Sequence, residues 1–154
     1  VEQVIKVNSA DQMLEACESS LPADIAVCAA AVADYKIANK EIAKIKKDGS
    51  RQNIILEENP DILERLSKRN HLRPKLVVGF AAETSNLERN SDEKLNKKGC
   101  DWVLGNNVSE NSIFNQDTNK IYFTSKLYSE NWELMTKKEV AKKLCQKISL
   151  HLNN

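Results

Sequence analysis

Glycine is scarce here, at 4 of 154 residues, and no G-x-G-x-x-G turn occurs. A Rossmann dehydrogenase needs that turn and a ribose-binding acid at a set distance beyond it, so that class is disfavoured. The chain also opens without Met and without a glycine-rich turn, inside what reads as a strand. It is therefore expected to be either a different α/β design or a piece of a longer protein. An excess of one charge is lacking too. The 23 basic and 22 acidic residues leave a net +1, so no global field favours nucleic acid or a membrane, and any anion site has to be local. No signal peptide and no apolar run long enough to cross a bilayer are present, which points to a cytoplasmic protein. The four cysteines, Cys17, Cys28, Cys100 and Cys145, are widely spaced and form no C-x-x-C pair. Three sit in apolar or helical surroundings, and reduced, buried thiols are expected.

What is present is ordinary globular material, 41% hydrophobic and 29% charged, sufficient for one domain with a real core. The most informative stretch is residues 25–47. Residues 25–33 are an unbroken run of small and β-branched apolar side chains, suited to a strand buried on both faces of a parallel sheet. A buried helix is the alternative, but Pro22 and Asp24 crowd its start and Val27 and Val32 lean toward strand. Asp34 and Tyr35 follow directly, and then the cationic group Lys44, Lys46 and Lys47. Ligands in open α/β sheets sit beyond the carboxyl ends of the strands. An acid there, followed by clustered lysines, suits a polyphosphate: the lysines neutralise its oxygens while the acid orients a base, a sugar hydroxyl or Mg²⁺.

Elsewhere, Val4, Ile5 and Val7 suggest a first strand, and Ser9 with Gln12 a capping box before a helix from Ala10. Residues 54–56 read as a short strand that pairs with 44–47 in a hairpin turning at Asp48-Gly49. Asn59-Pro60-Asp61 reads as a helix start with Asn59 as cap, whose free N–H groups could seat a phosphate. Residues 76–84 form a second buried strand ending at Gly79-Phe80. A helix over 86–98 is stopped by Gly99 and sets Lys94 and Lys98 on one face, where a bound anion would relieve their repulsion. Asp101 to Leu104 make a third core strand, and residues up to Asn119 a long polar loop. Residues 120–125 and 132–135 look like antiparallel strands. Thr136 with Glu139 caps a last helix carrying Val140, Leu144, Ile148 and Leu152 on one face. Alternating strands and helices predict a doubly wound α/β sheet with a β-rich insertion.

At AAAVADY, the KIKK cluster, ENPDIL, VVGFAAET, KLNKKGCDWVLGNNVS and FNQDTN, taken in this order, the chain closely resembles phosphopantothenoylcysteine synthetases. In bacteria that family usually forms the C-terminal half of a bifunctional coenzyme A biosynthesis protein, behind a flavin-dependent decarboxylase. The resemblance implies a Rossmann-like parallel sheet flanked by helices, with a small antiparallel β dimerisation insertion and a homodimer. It implies one synthetase domain over residues 1–154, truncated before the family's opening strand, glycine-rich turn and Asn-bearing helix. The implied reaction uses CTP and Mg²⁺ to convert the carboxylate of 4′-phosphopantothenate to an acyl-cytidylate, releasing pyrophosphate. The amine of cysteine then attacks, giving phosphopantothenoylcysteine and CMP. FMN would belong to the decarboxylase half alone, and none of the four cysteines is implied to be catalytic. By the same resemblance Lys44 is the catalytic lysine of activation, and Asp34, Lys44, Pro60, Asp61, Ile62, Leu63, Phe80, Lys94 and Lys98 bind CTP. Lys46 and Lys47 are helpers, and the metal ligands are not identified.

The chemistry agrees with these assignments. When a carboxylate attacks an α-phosphate two anions meet, so clustered lysines lower their repulsion and stabilise developing charge. Such transfer asks the protein mainly for positioning, and no protein nucleophile is required. The alternative expectation is a catalytically incomplete fragment of the same enzyme that binds nucleotide or dimerises.

Overall fold

The computed structural model describes residues 3–39, 53–108 and 117–153. Lys44, Lys46 and Lys47, with the hairpin assigned to them and most of the polar loop after Asn107, lie outside the described residues. The first element is α1 (Ala10–Ser19). Ser9 caps it by accepting the Gln12 N–H, while the Gln12 side chain reaches back to the Asn8 N–H. β1 (Ile25–Cys28) follows, and then a ribbon of β2 (Tyr35–Ile37) and β3 (Leu56–Glu58). Next come α2 (Ile62–Ser67), β4 (Leu76–Glu83), α3 (Leu87–Lys98) and β5 (Trp102–Asn107). The chain finishes with β6 (Thr118–Asn119), β7 (Ile121–Ser125), β8 (Ser129–Asn131), β9 (Met135–Thr136) and α4 (Lys137–Leu152). Gly99, at φ 71°, ends α3, and a complete Thr136–Glu139 capping box starts α4, both as the sequence predicts.

The main sheet has the order β1-β4-β5-β7-β8. β1, β4 and β5 run parallel, whereas β7 and β8 are antiparallel additions. This is the expected α/β architecture, with helices flanking a sheet that is parallel at one end and antiparallel at the other. Because side chains alternate across a strand, β4 and β5 feed two separate cores. Leu76, Val78, Trp102 and Leu104 join Ile121, Phe123 and Trp132 beneath Val140 and Leu144 of α4. Val77, Ala81 and Val103 join Leu63 of α2 and Leu95 of α3, with Cys100 beside them. Each fully buried Leu or Val here stabilises the fold by about 1.5–3 kcal/mol. No helix among the described residues is long and apolar enough to cross a membrane.

Several local expectations are corrected. Val4, Ile5 and Val7 form no strand, because no strand among the described residues lies alongside to pair with them, and Val4 and Ile5 are exposed. Only the first four residues of the 25–33 run are strand, and among the described residues β1 is an edge of the sheet. Val27 stays 47% exposed, so burial on both faces is not realised there. The strand over 54–56 is displaced to Leu56–Glu58, where Tyr35–Ile37 provides its partner. β4 continues past Gly79-Phe80 to Glu83, because β5 pairs with it that far. The expected strand over 132–135 is replaced by β8 and β9 on either side of Trp132, whose buried ring turns the chain into the core instead. Leu152, at the end of α4, is exposed and does not join the buried face of Val140 and Leu144. Of the four free cysteines only Cys100 is buried, while Cys17 and Cys28 are half-buried and Cys145 is exposed on the outer side of α4.

Candidate functional site

A groove of about 1000 Å³ runs beside β1, between the start of α2 and the second half of α3. Asp34, Pro60, Asp61, Ile62, Leu63, Phe80, Lys94 and Lys98 all line it. The structure therefore brings together every described residue of the nucleotide set read from the sequence, although 64 positions separate Asp34 from Lys98. Lys44 lies outside the described residues.

Asp34 is carried to the groove by Asn59. The Asn59 side-chain amide donates to the Ala33 carbonyl at 2.9 Å, and its backbone N–H to the Asp34 carbonyl at 2.8 Å. Asn59 is thus a clamp and not the helix cap, which is a correction. Asp61 is the cap, accepting the Glu64 N–H at 2.9 Å. Asx side chains serve either role, and Pro60, lacking an N–H, separates the clamp from the cap. The helix is short, ending at Ser67. Its opening N–H therefore faces a carboxylate, so the phosphate seat expected at this helix start is already occupied by Asp61.

Ile62 and Leu63 are buried and form the floor. Leu63 lies so close to Gly79 that a Cβ there would come within 2.6 Å of a leucine methyl, which lets α2 pack directly on β4. Phe80 follows Gly79, one residue past the last β1–β4 pair. Its carbonyl accepts a 2.6 Å hydrogen bond from the Lys94 ammonium. One turn further along α3, Lys98 pairs with Asp61 and lies 3.7 Å from Glu64. The two lysines do share a face, but they are held differently, one by a neutral carbonyl and the other by two acids. Burial pushes the Asp61 carboxyl up, but hydrogen bonds from Lys98 and the Glu64 N–H outweigh it and hold it below the usual range. The hydrogen bond to Asp61 raises Lys98 in turn.

Cys28 also lines the groove, and burial, aided by Cys17 and Asp61, pushes its thiol up to about 11. It stays protonated near neutrality, which makes it a poor nucleophile. Neither Asn59 as a clamp nor Glu64 as a neighbour of Lys98 was anticipated. An Asx residue before Pro was the available signal for the first. Glu64 had none, since its contact depends on how α2 crosses α3. Among the described residues no group of three or more His, Cys, Asp or Glu side chains is placed to hold a metal.

Residues 1–151 match the DNA/pantothenate metabolism flavoprotein C-terminal domain. The coenzyme A biosynthesis bifunctional protein CoaBC of Haemophilus influenzae is 37% identical over 145 residues, which cover 94% of this chain and 36% of that protein. The CoaBC of Borreliella burgdorferi is 38% identical over 144 residues, 92% of this chain and 36% of its own length. This chain therefore spans little more than a third of these relatives. A cysteine/cysteine sulfinic acid decarboxylase from an unknown prokaryotic organism is 36% identical over 148 residues, covering 94% of this chain and 41% of that one. The crystal structure of the C-terminal domain of a CoaBC protein superposes with a TM-score of 0.75 at 30% identity, covering 97% of this chain and 65% of that one. The chain belongs to the family of the DNA/pantothenate metabolism flavoprotein C-terminal domain.

Proposed function

We propose that this chain carries the ligase step of coenzyme A biosynthesis, joining 4′-phosphopantothenate to cysteine at the expense of CTP. The observation that carries the reading is the convergence on one groove of eight residues from four stretches of the chain, among them two lysines, an aromatic ring and two acids. The family membership and the bifunctional coenzyme A relatives support it. In this reading Lys94 and Lys98 bind the nucleotide phosphates, and Phe80 lies against the base. Lys44 stabilises charge as the pantothenate carboxylate attacks the α-phosphate and pyrophosphate leaves. The neutral amine of cysteine then displaces CMP from the acyl-cytidylate. Mg²⁺ is commonly held by one or two carboxylates together with substrate phosphates, a requirement the groove can meet without a protein cage. Asp34 lines the groove as one carboxylate within reach of such an ion, which would neutralise phosphate charge. The bifunctional relatives fit a natural fusion to a flavin-dependent decarboxylase, where FMN would reside.

The test is thermal. In Mg²⁺, CTP should raise the melting temperature of the natural protein more than ATP does, and Lys44→Gln should abolish acyl-cytidylate formation without unfolding it. Equal responses to CTP and ATP count against the reading. Pyrophosphate release with phosphopantothenate and cysteine distinguishes a ligase from a purely nucleotide-binding module: steady turnover excludes the second.

A homodimer is the partner arrangement we propose, and the ribbon of β2 and β3 offers the surface. Ile37 stands opposite Leu56, and Tyr35 shares their face. All three are about half exposed, at 46%, 57% and 55%. The other face carries Lys36 and Glu57, with Lys36 bonded to Asp11 of α1 at 2.6 Å. The ribbon thus turns Lys36 toward α1 and leaves Tyr35, Ile37 and Leu56 outward, with Glu58 opposite Tyr35 on the same face, and three neighbouring apolar side chains so exposed are more than a monomer usually leaves to water. Sedimentation equilibrium should give twice the chain mass, and Ile37→Glu should halve it. A wild-type monomer at micromolar concentration removes the proposal.

A further inference from the structure

The groove contains a competitor for its own ligand. Lys98 is only 18% exposed at its side chain and is held between Asp61 and Glu64. Glu64 does not merely sit nearby. Its backbone N–H fixes Asp61 at 2.9 Å, one carboxylate oxygen holds Lys68 at 2.5 Å, and the other faces Lys98 at 3.7 Å. Glu64 and Asp61 lie three residues apart on one side of α2's first turn, and α3 delivers Lys98 to both. An anionic ligand that uses Lys98 has to draw it away from two carboxylates, and then sits beside them as a like charge. Lys94 imposes no such cost, because its partner is a neutral carbonyl.

We propose that Glu64 is a positioning residue for Lys98, one that holds the lysine against Asp61 and thereby lowers the groove's affinity for phosphate-bearing ligands. The inference rests on the nucleotide reading for the ligand's identity, but the competition concerns any polyphosphate anion. Its consequence for turnover is faster release of a charged product. Glu64 also helps to raise Lys98, as a nearby acid should. Weaker retention by Glu64 frees the ammonium for the ligand.

The experiment uses inorganic pyrophosphate and CTP as separate probes, titrated calorimetrically against the natural protein. Glu64→Gln keeps the shape and removes the charge, and should tighten pyrophosphate binding by about two- to fivefold, the range expected for one partly exposed like charge. Glu64→Asp, which keeps the charge, should stay near wild type. In a Lys98→Met background Glu64→Gln should gain clearly less, because only the direct repulsion between Glu64 and the anion is then relieved, an outcome that a purely structural role of Glu64 would not produce. Wild-type protein that binds pyrophosphate but gains nothing from CTP removes the nucleotide reading and leaves this inference standing. Unchanged or weakened pyrophosphate binding in Glu64→Gln, the same gain with and without Lys98, or no pyrophosphate binding by wild type overturns it.

Discussion

Arg73→Met is expected to destabilise the protein by about 2–3 kcal/mol, the cost of breaking a half-buried ion pair and its hydrogen bonds. The guanidinium bonds Asp101 through both carboxylate oxygens, at 3.0 and 2.9 Å. It also donates to the carbonyls of Ser67 at 2.7 Å, Pro74 at 2.8 Å and Gly99 at 3.4 Å. These partners lie at the end of α2, the entry to β4, the end of α3 and the entry to β5. One side chain therefore ties together both crossovers of the parallel sheet. Asp101 additionally accepts the Val77 N–H at 2.7 Å, so removing Arg73 leaves that carboxylate bonded but uncompensated. The urea midpoint should fall by about 1 M. Arg73→Lys should recover less than half of the loss, because an ammonium cannot span the same fork of acceptors. Adding Asp101→Asn to Arg73→Met should recover part of it by removing the stranded charge. A midpoint unchanged in Arg73→Met would show that these five bonds contribute nothing net.

Gly105→Ala should cost about 1–3 kcal/mol by overpacking, and it should move the groove's lysines as well. A Cβ at this position would lie 2.2 Å from the Ser91 hydroxyl oxygen and 2.9 Å from a Leu87 methyl. Ser91 is fully buried, and its hydroxyl finds no hydrogen-bond partner among the described residues. α3 lies this close to β5 only because residue 105 has no side chain. Pushing the helix outward displaces Lys94 and Lys98, which it carries into the groove. Ser91→Ala alone should be neutral or stabilising, since it removes a buried polar atom that is not satisfied. In the Ser91→Ala background Gly105→Ala should regain more than half its loss, because the 2.2 Å clash is gone and Leu87 ends in a flexible side chain. Equal destabilisation by Gly105→Ala with and without Ser91 would refute the packing account.

Part of this was legible in the chain from local rules. Ser9 and Thr136 with Glu139 mark helix starts, Gly99 ends α3, and 76–84 reads as a buried strand that the structure realises over Leu76–Glu83, because caps and hydrophobic runs act over a few neighbouring residues. The residue set of the groove was legible too, but only as a pattern of several motifs, since no single lysine or Asn-Pro-Asp stands out by itself. Where the sequence reading failed, the missing information was always a partner. The apolar stretch 25–33 has strand propensity throughout, yet its strand stops at Cys28, where the pairing with β4 stops at Gly79. Val4, Ile5 and Val7 have the same propensity and, among the described residues, no strand beside them to realise it.

The sequence by itself determined the α/β class, the ends of its longer helices and the chemical types available to the groove, all of which follow from short-range preferences and the number of apolar residues. Only the tertiary structure decided that β1 is an edge among the described residues, that Asn59 clamps while Asp61 caps, and that Lys98 meets two acids but Lys94 a carbonyl. Those outcomes depend on how α2 and α3 cross the sheet, a geometry set by the summed packing of both cores and written in no one segment.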